Sequence, residues 1–162
     1  MRLTGSFAVT SVCALLGAAT PASASQPSPI WKNAKTIAVH CVVGTETTGH
    51  NQVLSNSTCA KIARLVAVDA PIPVTVIGFG DVAFSAPGTV ILAVHGTVVG
   101  SGAAKSLIFT IRPSRNLQDH RPELFGSVPR MAPVNSADRA IRRALAEVLP
   151  WKSSNLNARP IR

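Results

Sequence analysis

The sequence predicts an α+β fold: a mainly antiparallel sheet of about four strands with two helices packed on it, in the order β-α-β-β-β-α. Three observations lead there. Thr89–Val99 and Ser106–Arg112 are β-branched apolar runs joined by Gly100-Ser-Gly-Ala-Ala-Lys105, the pattern of an antiparallel hairpin. Two other stretches repeat their apolar residues at helical spacing, one from near Ser55–Ser57 to about Val68 and one over Asn135–Leu149. Chain length allows one domain of ordinary size with a real core, because about 138 of the 162 residues remain once a leader is set aside.

That leader is the first element in order. Met1-Arg2 carries one positive charge, Phe7–Ala19 is apolar, and Ala22-Ser23-Ala24 is an Ala-x-Ala end. This is the pattern of a secretory signal peptide over residues 1–24, cleaved after Ala24, and it predicts a periplasmic or secreted protein. A membrane span needs roughly 20 apolar residues, more than this run or any later one supplies, so no transmembrane segment is expected in the mature chain. Cys13 sits inside the apolar run with Leu15-Leu16 still to follow, which argues against lipidation.

Residues 25–35 are rich in Pro and Ser and read as an extended lead-in to a single domain over 36–151. Thr36–Val43 is the first strand, with Ile37, Val39, Cys41 and Val43 on one face and Ala38, His40 and Val42 on the other. Both faces are largely apolar, so the strand is expected to be central. Gly44–Asn51 reads as a polar loop. In the following helix Cys59, Ile62, Ala63 and Val66 share a face, which brings Cys59 towards Cys41. With Cys13 removed, an even pair in an oxidising compartment predicts a Cys41–Cys59 disulfide, and the absence of Cys-x-x-Cys spacing favours a structural bridge over a redox pair.

Pro71-Ile72-Pro73 ends the helix and starts a strand over Val74–Phe79. The hairpin follows the Ser85–Gly88 turn, with His95 on the face of Ile91, Ala93, Thr97 and Val99. A lone His in that company reads first as a half-buried structural residue. After Arg112 some twenty residues are rich in Pro and Arg, a length that implies either function or partial ordering by short strands. The last helix has Asn135 as a candidate cap, Asp138 in its first turn and Pro150 as its stop. Asp138–Arg142 and Arg143–Glu147 are spaced for helical ion pairs, and Trp151 is expected to fold back on the core edge. Residues 152–162 form a polar tail.

Charge directs the functional reading. Sixteen Lys and Arg stand against seven Asp and Glu, and ten of the bases lie from Arg112 onward. Such asymmetry points to an acidic partner, for an exported protein an anionic envelope component or an envelope protein. Scarce aromatics and no Tyr argue against nucleic acid. Arg112, Arg115, His120, Arg121 and Arg130 are the candidate binding residues, since forked guanidinium groups suit phosphate or carboxylate. No Gly-x-Ser-x-Gly elbow, phosphate loop, dinucleotide fingerprint or zinc spacing occurs, so no cofactor or metal is expected. The expected function is an exported binding or accessory protein of the envelope that contacts an anionic partner through its basic loop. The alternative is a small periplasmic enzyme or metal-binding protein that uses His40 and His95, should these converge, or His120.

The pattern also resembles small bacterial envelope domains of the kind found at the amino end of TolB and in outer-membrane activators of penicillin-binding proteins. There, as in Ala38–Val43 and Val90–Ile111 here, a strand and helix feed a small sheet backed by helices. The resemblance implies an accessory or binding role. The Cys41–Cys59 bridge departs from what that group leads one to expect.

Overall fold

The computed structural model describes residues 29–115 and 126–151. The leader, the first residues of the lead-in, His120, Arg121 and the tail 152–162 lie outside the described residues. Five strands form one sheet: β1 (Thr36–Thr45), β2 (Val74–Val76), β3 (Thr89–Val99), β4 (Ser106–Arg115) and β5 (Arg130–Pro133). Their order is β2-β1-β3-β4-β5. Two helices, α1 (Gln52–Ala67) and α2 (Asp138–Val148), complete an α+β domain.

The sheet is mixed. β1 runs parallel to both β2 and β3, while β4 is antiparallel to β3 and β5. Alternation along the strands explains the layers. Ile37, Val39, Cys41 and Val43 of β1, Val90, Leu92 and Val94 of β3, and Leu107, Phe109 and Ile111 of β4 are buried in one core. Ile62 and Val66 of α1 and Ile141, Ala144, Leu145 and Val148 of α2 close that core from the helix side. Gly96 lies on this face because a Cβ there would press on Leu107 and Phe109.

Among the described residues the opposite face is covered only at one end. Ala38 and Ile91 pack with Ile77, Ala83 and Phe84, where the β2–β3 connection crosses. Beyond that lid no described residue covers the face.

Several local expectations shift. The β4–β5 connection returns as a fifth, edge strand. β2 stops at Val76 where Phe79 was expected, because Gly78-Phe79-Gly80 turns away, with Gly80 at φ +79°. α1 begins at Gln52 rather than near Ser55–Ser57, since the Asn51 side chain accepts from the Leu54 amide at 3.0 Å. Asn135 lies in a 3-10 turn, Val134–Ser136, and does not cap α2, whose entry residue is Ala137. Asp138 reaches Lys61 on α1 at 3.0 Å and Glu147 pairs with Arg130, so both acids tie elements together instead of bracing their own helix.

Trp31, in the expected lead-in, is buried, and its indole donates to the Val148 carbonyl at 3.1 Å. Trp151 meets it edge-on at a centroid distance of 5.5 Å, the expected fold-back. No helix among the described residues is long and apolar enough to cross a membrane.

Candidate functional site

The disulfide joins Cys41 to Cys59, with Cα atoms 5.6 Å apart, and clamps α1 to β1. One turn earlier, Ser55 makes a second tie. Its buried hydroxyl accepts from the Val43 amide at 2.9 Å and lies 3.2 Å from the Val43 carbonyl. Together they hold the start of α1 over the carboxyl end of β1.

The loop between them is tightly folded. Thr45 Oγ1 accepts from the Thr48 amide at 3.0 Å, the Asn51 amide donates to the Val43 carbonyl at 2.8 Å, and Gly44 bridges His50. A Cβ at Gly44 would run into the Gly49 carbonyl, so only glycine allows this return. The return delivers His50 to the rim of the sheet.

β1 has parallel neighbours on both sides, reached by connections that leave in opposite directions. In open sheets this is where a crevice forms, outside the carboxyl ends of the strands. Two clefts occupy it here. The first, of about 350 Å³, lies where β2 stops short of β1. Its walls include His40, His50, Gln52, Asn56 and Phe79, with the disulfide behind them. The second, of about 410 Å³, lies over β1, β3 and β4 and includes His50, His95, Thr97 and Thr110. Val42 and His50 belong to both. Among the described residues neither is lined by an Asp or Glu.

His50 Nε2 lies 3.0 Å from Gln52 Oε1, which requires the proton on Nε2, and its Nδ1 lies 3.4 Å from Ser55 Oγ. Serine, imidazole and an orienting side chain resemble a nucleophile with its base. Burial decides against it: Ser55 is 2 % exposed and its hydroxyl is engaged by both polar groups of Val43. Ser55→Ala should therefore act on stability. It leaves the buried Val43 amide without its acceptor, at a cost of about 1–3 kcal/mol measured by urea unfolding. A variant as stable as the parent would contradict this assignment.

His40 and His95 lie on the same, open face. His40 is opposite Ala93 and His95 opposite Val42, one step along. His40 Nδ1 lies 3.3 Å from the Ile77 carbonyl, which only a protonated nitrogen can satisfy, and its ring meets Phe84 edge-on at 5.0 Å. Partial burial first, then the Arg112 guanidinium and then His40 hold the His95 imidazole below its ordinary value. Among the described residues no group of three or more His, Cys, Asp or Glu side chains is placed to hold a metal ion.

Of the basic residues singled out from sequence, the three that are described, Arg112, Arg115 and Arg130, are dispersed. Arg112 is on the open face, exposed, opposite Ala93. Arg115 is on the other face and donates to the carbonyls of Lys32 and Asn33, the latter at 3.4 Å. Arg130 pairs with Glu147 and sits opposite Phe109, about 20 Å along β4 from Arg115. His50, Gln52 and Ser55 were not among the sequence candidates. Their signal is the Gly44/Gly49 pair followed by Asn51, which marks a tight return into a helix start.

Compared with known proteins, the chain matches no protein-family model, no curated protein and no solved structure.

Proposed function

We propose that the protein is an exported binding or accessory protein of the cell envelope, and that its ligand is small, with an apolar body and an anionic head. The observation that carries this reading is the pair of clefts joined at His50 and, among the described residues, lined without a carboxylate. Val42, Val76, Ile77 and Phe79 offer an apolar wall, and Phe79 is 97 % exposed. His50 stands at the junction, where an anionic head would compete with Gln52 Oε1 for its Nε2 proton, and a cation would find no acidic partner among the described residues of either lining. Export is supported by the leader pattern of residues 1–24 and by the Cys41–Cys59 bridge, which persists in oxidising compartments. An accessory role also agrees with the likeness to small envelope domains, and the basic loop after Arg112 would add attraction for an anionic partner.

The test is titration of the mature protein with octanoate and, in parallel, octylammonium, followed by histidine side-chain resonances. Octanoate should shift His50 and octylammonium should not, and His50→Ala should weaken octanoate binding by about tenfold. Equal responses to both amphiphiles, or none to either, would overturn the reading.

A further inference from the structure

Between the two clefts the open face carries a further feature, which shares His40 with the first and His95 with the second. His40, Ala93 and Arg112 form one cross-strand row, on β1, β3 and β4 in turn. The next row is Val42, His95 and Thr110. The Ala93 methyl is thus the floor of a hollow with His40 on one side, Arg112 on the other and His95 two residues along the middle strand. On the fourth side Ile91 is buried beneath the β2–β3 connection. We propose that this hollow is an oxyanion seat that takes a phosphate or carboxylate group between Arg112 and the two imidazoles.

Dimensions fit. Strands flanking a central one are about 9.6 Å apart, which places His40 and Arg112 on either side of a gap that a methyl group leaves unfilled. A tetrahedral oxyanion hydrogen-bonded at about 2.8 Å on each side spans that gap. Arg112 supplies a rigid fork of donors suited to two oxygens of one group. Its stem is steadied by the returning chain: a Cβ at Gly126 would lie 3.0 Å from Arg112 Cγ. Ser127, next in sequence, is locked to Ile111 by bonds of 2.8 and 3.0 Å. With His40 Nδ1 directed at the Ile77 carbonyl, its Nε2 is the nitrogen left for a ligand, and it must carry a proton of its own to donate to an oxyanion.

Electrostatics agree in sign. Among the described residues, the charged or titratable groups that face His95 are Arg112 from β4, His40 from β1 and, across the second cleft, His50 from the loop before α1. All are cationic or neutral. Burial first and then the neighbouring cations hold the His95 imidazole down, and an arriving oxyanion offsets the cationic share. Binding therefore favours uptake of a proton, and the affinity for an oxyanion of fixed charge should rise as pH falls from 7.5 towards 5.5.

Inorganic phosphate, phenyl phosphate, sulfate and vesicles of phosphatidylcholine with one quarter phosphatidylglycerol are the probes, used on the mature chain. Inorganic and phenyl phosphate should shift the His40 and His95 ring resonances, and sulfate, whose charge stays fixed over the range, should bind more tightly at pH 5.5 than at 7.5. Arg112→Ala should weaken both phosphates by about tenfold or more, with Arg112→Lys between it and the parent. His95→Gln should flatten the pH dependence while circular dichroism stays unchanged. If the vesicles are also retained by the parent and lost by Arg112→Ala, the oxyanion is a lipid head group. If only the free phosphates bind, it is a soluble one.

The idea fails if neither phosphate moves these histidines, or if Arg112→Ala binds as the parent does. Octanoate carries a carboxylate that the seat would also accept, so the variants separate the two readings: His50→Ala reports the clefts and Arg112→Ala, whose position lies in neither lining, reports the seat.

Discussion

Phe109→Ala is expected to destabilise the domain by about 3–5 kcal/mol, a large share of the roughly 5–15 kcal/mol that holds such a domain folded. Phe109 is 2 % exposed, on the helix face of β4. Its neighbours across the sheet are Gly96 on β3 and Arg130 on β5. Gly96 offers no side chain to relax into the space that the ring would vacate, and its backbone is held by the β3–β4 pairing. Little collapse is available, so the cavity term should be near its upper range. Urea unfolding measures this as a fall in midpoint at unchanged slope. A loss under about 1 kcal/mol would show that the surrounding core closes over the site. Phe109 also contributes to the second cleft, so the variant should perturb His95 and Thr110 resonances as well.

Removing the Cys41–Cys59 bridge should cost about 3 kcal/mol, the scale expected when a sequence separation of 18 residues is no longer closed in the unfolded chain. The bridge has local work besides. Cys41 and Cys59 stand behind the first cleft, and α1 carries Gln52 and Asn56 into its wall. In a Cys41→Ala, Cys59→Ala variant the helix remains tied to β1 by Ser55 and the Val43 backbone, so the fold should persist with a lower unfolding midpoint. Two measurements check this: urea unfolding of the variant, and unfolding of the parent with and without a reductant. Unchanged midpoints in both would mean that the bridge contributes nothing to stability.

Much of the fold was legible in short-range pattern. Period-two alternation over Thr36–Val43 grouped Ile37, Val39, Cys41 and Val43 on one face, which the structure buries in the main core, and helical spacing placed Cys59, Ile62 and Val66 on one stripe of α1. Those two readings together imply the disulfide, since a strand face and a helix face that both turn inward must meet. The Gly-rich connection between β3 and β4 marked the hairpin, and the stripe of Ile141, Ala144, Leu145 and Val148 marked α2. Each of these depends on residues within a turn or two of one another.

Partners were decided in three dimensions. Alternation tells which way a side chain faces but is silent on which strand lies alongside and in which direction it runs. Nothing local in Thr36–Thr45 distinguishes a parallel from an antiparallel neighbour, yet it is the parallel pairing on both sides of β1 that opens the rim where His50 stands. Asp138 and Glu147 were each four residues from an arginine on their own helix and found Lys61 and Arg130 instead. An exposed helical pair contributes only a few tenths of a kcal/mol, too little to hold a side chain back from a cation that packing brings near. The same reason governs the candidate site. His40, His95 and Arg112 are separated by 55 and 17 positions in the chain, and only the register of β1, β3 and β4 sets them around one alanine. The sequence by itself determined which residues share a face and which cysteines meet; the packing of strands across the sheet decided which face of β1 is covered and where charge gathers, because both depend on register and neighbours rather than on local periodicity.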